Sequence, residues 1–262
     1  MTAYTVSPPC RFAPGLSLGA ALAACLLWNP AWAQSSETGA SRWSLGIGAV
    51  ALDRIYRDVE RDTMALPLVS YENEWISASV PTFDVKLLKG ESLSLRLRAR
   101  WAGDGYEADD APILAGMEKR KSSLWAGSAL IWKTDVANLS AEVLADAMDN
   151  SKGMRAKLQI DRRFGFGKFG LTPRLGAEWV DDKFVDYYYG VRRAEVRSGR
   201  AFYEGKATTS ALAGVRLDYS PARHHTVFVD VGATRYGSSV KDSPLVGKAS
   251  QTAVVLGYAY RF

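Results

Sequence analysis

The sequence predicts an all-β fold, a closed antiparallel transmembrane β-barrel of about twelve strands that follows an N-terminal signal peptide. Three observations predict it: apolar and polar residues alternate along many segments, the segments are long, and the chain ends on an aromatic residue, Phe262. The segments are about 10 to 13 residues long, which suits a tilted crossing of a bilayer, whereas strands of soluble proteins usually have about 5 to 6 residues.

Residues 1–33 have the features of a secretory signal peptide. A short apolar run, Phe12 to Ala24, follows the only early charge, Arg11. Ala31-Trp32-Ala33 then offers the small residues that a signal peptidase accepts. We therefore expect cleavage before Gln34.

Residues 22–25 allow a second interpretation, because they resemble a lipobox that would make Cys25 an acylated N-terminus. The apolar run continues past Cys25, which favours ordinary cleavage. Removal of the first 33 of 262 residues also removes both cysteines, Cys10 and Cys25, so the mature chain has no thiol for a disulfide or a metal site. We expect a flexible tail over 34–41 and a single barrel domain over 42–262.

The alternation has a period of two, as in a strand whose successive side chains point to opposite faces. In the segment 93–101, alternate leucines share one face, whereas Arg96, Arg98 and Arg100 share the other. The segments 154–163, 211–219 and 253–262 follow the same pattern. Because every backbone donor and acceptor in hydrocarbon needs a partner, a spanning sheet must close on itself. Closure places the apolar face against lipid and the charged face in the lumen.

Twelve candidate strands follow, an even number as expected of a closed single-chain barrel. They lie at 42–52, 63–72, 74–80, 82–89, 92–101, 122–133, 137–146, 153–163, 168–179, 206–219, 224–236 and 250–262. Short turns are expected at 89–91, 134–136, 165–167 and 220–223, and long connections at 102–121, 180–205 and 237–249. Short periplasmic turns and long external loops are the usual arrangement. Pro67 and Pro81 disfavour regular strands, so a barrel of ten strands remains the alternative.

Aromatic residues gather near the ends of the predicted strands, as they do in membrane-interface girdles. They are Trp43, Trp75, Trp101, Trp125, Trp132, Trp179, Tyr219, Tyr258 and Tyr260. The terminal Phe262, with aromatics at alternate positions before it, resembles the C-terminal signal that the barrel-assembly machinery reads. We therefore expect this machinery as a partner, together with outer-membrane lipid and lipopolysaccharide.

No catalytic, cofactor-binding or metal site is predicted. The only histidines, His224 and His225, lie at a short turn without further metal ligands nearby. Asp104, Glu107, Asp109 and Asp110 form an acidic run, but its spacing does not match a calcium-binding EF-hand, and a solvated loop is the preferred interpretation. The charged residues 118–121 could pair with this run or with lipopolysaccharide phosphates, and a charged rim is preferred.

The lumen face is predicted to carry charges of both signs. The basic residues are Arg96, Arg98, Arg100, Arg155, Lys157, Arg174 and Arg216, and the acidic residues are Glu142, Asp146, Asp161, Glu178, Asp218 and Asp230. About twelve strands lies between packed eight-stranded barrels and water-filled sixteen-stranded porins. We therefore expect ion pairs that plug the lumen or leave a very narrow pathway. The net charge of +5 is mild and does not indicate nucleic-acid binding.

Several short pieces, in order over essentially the whole mature chain, resemble the MipA/OmpV family of outer-membrane proteins. They are Leu66-Pro67-Leu68, Gly105-Tyr106 with Asp109-Asp110, Leu114-Ala115-Gly116-Met117, Tyr188-Tyr189-Gly190-Val191, Tyr203, Ser243-Pro244-Leu245-Val246 and the ending Tyr258, Tyr260 and Phe262. The resemblance implies an outer-membrane location and no catalytic motif.

For the best-known member, the resemblance also implies a scaffolding role between a lytic transglycosylase and a penicillin-binding peptidoglycan synthase. Other members resemble adhesion, osmotic-response or antimicrobial-resistance proteins. We therefore expect a non-enzymatic scaffold of the cell envelope. A narrow small-solute channel and an adhesion or stress-response barrel are the alternatives.

Overall fold

The structure, a computed structural model, describes residues 41–59 and 61–262, most of which form one antiparallel sheet closed into a barrel. The strands are β1 Arg42–Asp53, β2 Arg61–Glu72, β3 Ile76–Ser79, β4 Thr82–Lys89, β5 Leu93–Ala102, β6 Ser123–Lys133, β7 Asn138–Asp146, β8 Met154–Asp161, β9 Phe164–Phe166, β10 Phe169–Val180, β11 Thr208–Ala222, β12 His225–Arg235 and β13 Ser250–Arg261. The predicted signal peptide and nearly all of the predicted tail lie outside the described residues.

Twelve positions make up the barrel wall. Apart from β9, each strand pairs with the next wall strand along the chain, and β1 pairs with β13 to close the sheet. The short strand β9 fills no position of its own, because β8 and β9 pair with successive stretches of the same strand, β10. The prediction of a closed twelve-stranded barrel is confirmed, and the ten-stranded alternative is wrong.

The two faces of the wall are distributed as the alternation predicts. In β5, Leu97 is exposed on the outside, whereas the inward residue Arg100 is only 6% exposed. In β11, Leu217 is exposed and Arg216 is buried. The charged side chains thus line the interior and the apolar ones cover the exterior, the reverse of a water-soluble sheet protein.

The short turns gather at one end of the barrel, called the turn end below, and the long connections at the other, the loop end. Two predicted turns are misplaced by a few residues. Strand β11 continues through the turn expected at 220–223, where the Ser220 N–H still donates to the Lys168 carbonyl at 2.8 Å. The turn expected at 165–167 belongs largely to β9, and the chain reverses at Gly167, whose φ of +60° suits glycine.

The irregularity expected around Pro67 and Pro81 is present, but it shortens one strand and does not remove two strands from the barrel. Strand β3 has four residues, because the chain turns back at 80–81. Its ladder with β2 therefore covers only three residue pairs, from Ser70–Ser79 to Glu72–Ser77. This short ladder is called the β2–β3 seam below.

The long connections contain short helices where the sequence predicted only loops. Helix α1 spans Asp182–Tyr189, and the Asp181 carboxylate caps it by accepting a hydrogen bond from the Phe184 N–H at 2.9 Å. Helix α2 spans Ser238–Lys241. Single 3-10 turns lie at Ala108–Asp110, Pro112–Leu114 and Arg193–Glu195. Among the described residues, no helix has the length and apolar character needed to cross a bilayer.

Candidate functional site: the lumen and its cap

The long connections fold over the loop end of the lumen as a compact cap. Helix α1 buries Phe184, Val185 and Tyr188. The Phe184 ring lies with its centroid 5.6 Å from that of Trp125, a fully buried residue of β6. Because Trp125 belongs to the wall, this contact places α1 against the inner side of the barrel mouth.

A second apolar cluster joins the connections to one another. Tyr106, Leu114 and Met117 come from the connection after β5, whereas Val191 and Leu245 come from the two later connections. A single bridge between Tyr56 and Val246 ties in the β1–β2 connection as well. These four connections therefore pack against one another as one body.

A buried ion pair lies at the centre of the cap. Arg120 Nη2 lies 2.9 Å from Glu195 Oε2. Arg120 Nε donates a hydrogen bond to the Tyr187 carbonyl at 2.8 Å. Arg200 donates to the carbonyls of Glu195, Ile113 and Ala115. The interpretation of 118–121 as a charged rim is therefore wrong for Arg120, which is 2% exposed.

The electrostatics of the cap favour a charged Glu195 and neutral phenols. Burial opposes ionisation of Glu195, but the backbone N–H groups of Arg192 and Glu118 and the Arg120 guanidinium outweigh it and lower the pKa of this carboxyl group. Burial raises the pKa of Tyr106 and Tyr188, so both hydroxyls stay protonated. The Tyr188 hydroxyl donates to the Lys121 carbonyl at 3.1 Å.

Beneath the cap, one side of the lumen is lined by connected ion pairs, here called the ionic side. Asp84 on β4 accepts hydrogen bonds from Arg98 on β5, with Nε–Oδ1 and Nη2–Oδ2 distances of 2.8 Å. Arg98 also donates to Glu142 on β7 at 2.6 Å, and Arg100 Nη2 lies 2.8 Å from Glu142 Oε1. The network thus links strands that are not neighbours in the sheet.

The ionic side continues towards β8 and the later strands. Arg155 contacts Glu178 at 2.6 Å and Asp104 at 3.2 Å. Further round the barrel lie the pairs Arg174–Asp230, Arg216–Asp218 and Arg163–Asp218. Most of these pairs join different strands, whereas Arg216 and Asp218 both lie on β11, and their buried side chains occupy part of the interior that an open pore would leave to water.

The other side of the lumen is apolar, and is called the apolar side below. Val50, Leu68, Phe228 and Val255 form a buried cluster from β1, β2, β12 and β13, with Met64 and Leu66 packed beside it. The Arg216 guanidinium lies 3.8 Å from the Phe228 ring centroid, a cation–π contact at which the two sides meet.

Most predicted lumen residues lie where the alternation placed them. Asp146 is different, because at the loop end of β7 it accepts hydrogen bonds from Ser123 and Ser151. The sequence interpretation missed Asp84, although it alternates with Phe83 and Val85 in a predicted strand. It also missed the apolar side of the lumen. The sequence feature that could have predicted this side is that both faces of β1 are largely apolar.

Most of the residues considered as metal ligands have other partners. Asp104 pairs with Arg155 inside the barrel; burial raises its pKa, although Arg155 opposes the rise. Glu107 pairs with Lys119 at 2.5 Å. His224 Nδ1 lies 2.7 Å from the Arg261 carbonyl oxygen, and His225 Nδ1 lies 2.8 Å from the Tyr258 hydroxyl. Within the described part of the chain, no group of three or more His, Cys, Asp and Glu residues could hold a metal ion.

The comparisons with known proteins agree on an outer-membrane barrel. The family model described as MltA-interacting protein MipA matches residues 45–262. The outer membrane protein YiaT of Escherichia coli (strain K12) is 30% identical over 226 residues, which cover 85% of this chain and 92% of that protein. The MltA-interacting protein of the same strain is 27% identical and covers 84% and 90%.

Solved structures resemble the fold more distantly. An outer membrane channel from Pseudomonas putida F1 matches with a TM-score of 0.45 and 13% identity, over 90% of this chain and 100% of that one. Together with the named relatives, the closed barrel places this protein in the bacterial outer membrane.

Proposed function

The chain belongs to the MltA-interacting protein MipA family, and we propose from this premise that it is a non-enzymatic scaffold that binds a peptidoglycan-remodelling enzyme. The relative named MltA-interacting protein supports a lytic transglycosylase as the partner. A penicillin-binding protein is the second partner of this proposal. The contacts with the barrel-assembly machinery through Phe262 and with lipopolysaccharide stay predictions.

One observation carries the proposal: buried ion pairs and an apolar cluster line the lumen, and a packed cap covers it. A barrel capped and lined in this way offers a protein partner its two end surfaces and not its lumen. With the usual orientation, the turn end faces the periplasm, where peptidoglycan lies. The turn end is therefore the surface on which we expect the partner.

The turn end has the composition of a binding surface. Val136 is 70% exposed at the tip of the β6–β7 turn, which is held by hydrogen bonds from the Ala137 N–H to Thr134 Oγ1 and from the Thr134 N–H to the Ala137 carbonyl. Exposed cations on this end outnumber exposed anions: they are Lys89, Lys133, Arg162, Arg163, Lys168 and Arg223, against Glu74, Glu91 and Asp135. These features favour a partner with an acidic surface and a small apolar contact.

The test is capture of purified lytic transglycosylase by the refolded barrel in lipid vesicles. We expect Val136→Asp to weaken capture, because it places a negative charge at the centre of the contact. The matched control is Val196→Asp, at a valine that is 47% exposed in the loop-end cap, and it should bind like the wild type. Failure of the wild-type barrel to bind, or equal losses in both variants, would contradict the proposal.

A narrow solute channel is the second candidate, favoured by the charged groups along the ionic side of the lumen. Ions could pass if these pairs exchanged partners. Planar-bilayer recording of the refolded barrel separates the two functions. Reproducible conductance by the wild-type protein would support the channel and contradict a lumen closed by its ion pairs.

A further inference from the structure

The β2–β3 seam leaves a gap in the barrel wall. The β1–β2 ladder runs over the whole of β2, from Arg42–Glu72 to Asp53–Arg61. On its other side, β2 is paired only at 70–72. Among the described residues, the stretch 61–68 therefore has a neighbouring strand on one side only, and this stretch is called the open edge.

The backbone of the open edge is oriented towards the gap. The Val69 carbonyl accepts a hydrogen bond from the Val80 N–H at 3.2 Å, so it points towards β3. Alternate residues of a strand direct their N–H and C=O groups to the same side. Thr63 and Ala65 thus point theirs into the gap, and Pro67, which has no N–H, lies where no ladder bond is lost.

Apolar side chains lie on both surfaces of the wall at this gap. On the outside, Val80 is 55% and Phe83 is 44% exposed beside it. On the inside, Met64 and Leu66 are only partly buried and pack against the apolar side of the lumen. The lipid-facing surface and an apolar part of the interior therefore adjoin here without a complete ladder between them.

We propose that an acyl chain of a membrane lipid enters this gap and packs against Met64, Leu66 and Leu68. Near β3, the outer face of the gap is bordered by the exposed apolar residues Val80 and Phe83, so lipid is the solvent at this part of its entrance. Ester, amide or hydroxyl groups near the lipid headgroup would then meet the N–H and C=O groups of the open edge, which need partners in hydrocarbon. The site is independent of the protein partner proposed above.

Single-cysteine labelling can test this site, because the only cysteines, Cys10 and Cys25, precede the barrel. Leu66→Cys is labelled with a bimane fluorophore and refolded into phosphatidylcholine vesicles with or without chain-brominated phosphatidylcholine, which quenches on contact. Ala65→Cys, on the outer face of β2, is the lipid-exposed reference. Gln159→Cys, which points inward from β8 behind complete ladders, is the lumen reference.

We expect quenching of Leu66→Cys close to that of Ala65→Cys and several-fold greater than that of Gln159→Cys. Met64→Cys provides a second position, and heat-dependent gel mobility confirms that each barrel is folded. Quenching of both β2 labels no stronger than that of Gln159→Cys would overturn the proposal. Quenching by a small brominated hydrocarbon but not by the brominated lipid would also overturn it, and would assign the site to small apolar solutes.

Discussion

The ionic side and the apolar side of the lumen differ in the wall behind them. The ion pairs of Arg98, Glu142 and Arg155 lie behind long, continuous ladders such as β5–β6 and β7–β8. The apolar cluster around Leu68 adjoins the β2–β3 seam, whose ladder has three residue pairs. The buried ion pairs of the ionic side thus lie behind complete ladders, whereas apolar groups dominate next to the gap, apart from the Arg54–Asp62 pair at its loop end.

The physical reason is the cost of a charge that can reach hydrocarbon. A charged side chain at mid-bilayer on a lipid-facing surface costs about 2 to 4 kcal/mol, so an incomplete wall beside an ionic interior would be unfavourable. An apolar interior has no such cost. The composition of β1 and β2 is therefore compatible with a shortened β3, whereas that of β5, β7 and β8 requires a closed wall.

The largest expected effect tests the ionic side. We expect Glu142→Gln to lower the free energy of unfolding by about 3 to 5 kcal/mol, because it leaves Arg98 and Arg100 buried with a weakened partner. Urea unfolding of the refolded barrel in vesicles, followed by tryptophan fluorescence, measures this change. Exposed ion pairs usually contribute less than about 1 kcal/mol. A loss below this value would contradict the burial of these side chains and would indicate that water reaches the ionic side.

A somewhat smaller effect is expected on the apolar side. Leu68→Ala should cost about 2 kcal/mol, the lower end for buried leucines, because an entering lipid chain can refill the space. Leu144→Ala, at a fully buried leucine beneath the cap, is the matched control and should cost more. If both substitutions cost the same in the same urea titration, the gap does not admit lipid to the cluster.

The pH dependence of the cap extends the comparison to an ionic contact outside the wall. The contacts in the folded state lower the pKa of Glu195. The carboxylate therefore stabilises the cap fully at a pH above the ordinary glutamate pKa of about 4.3. This stabilisation is lost as the pH falls through the lower pKa of the folded state. We expect amide hydrogen exchange over 190–203 to become less protected in this acidic range. Glu195→Gln should remove most of this pH dependence, and an unchanged profile in that variant would contradict the assignment.

The smallest effect is expected at an exposed pair of the cap. Lys119 and Glu107 have side chains that are 60% and 48% exposed, and pairs of this kind contribute about 0 to 1 kcal/mol. Glu107→Gln should therefore leave the urea midpoint almost unchanged. A loss as large as that of Glu142→Gln would show that burial is not what distinguishes the ionic side of the lumen.

The sequence by itself determined the barrel, its twelve wall positions and the lumen location of Arg98, Arg155 and Asp230. These features follow from a period of two along single segments and from the need to satisfy every backbone group in a membrane, both of which are readable locally. The family resemblance was likewise carried by short pieces in order and is confirmed.

Only the tertiary structure decided which charges meet, that Arg120 is buried, and that the interior has an apolar side next to a gap. Each of these depends on register and on contacts between residues far apart in the chain, such as Arg120 with Glu195. The alternation of apolar and polar residues predicts on which face of the sheet a side chain lies. It does not predict where a strand ends or which residue lies opposite in the lumen. The length of β3 and the packing of four connections into one cap are set by those distant contacts.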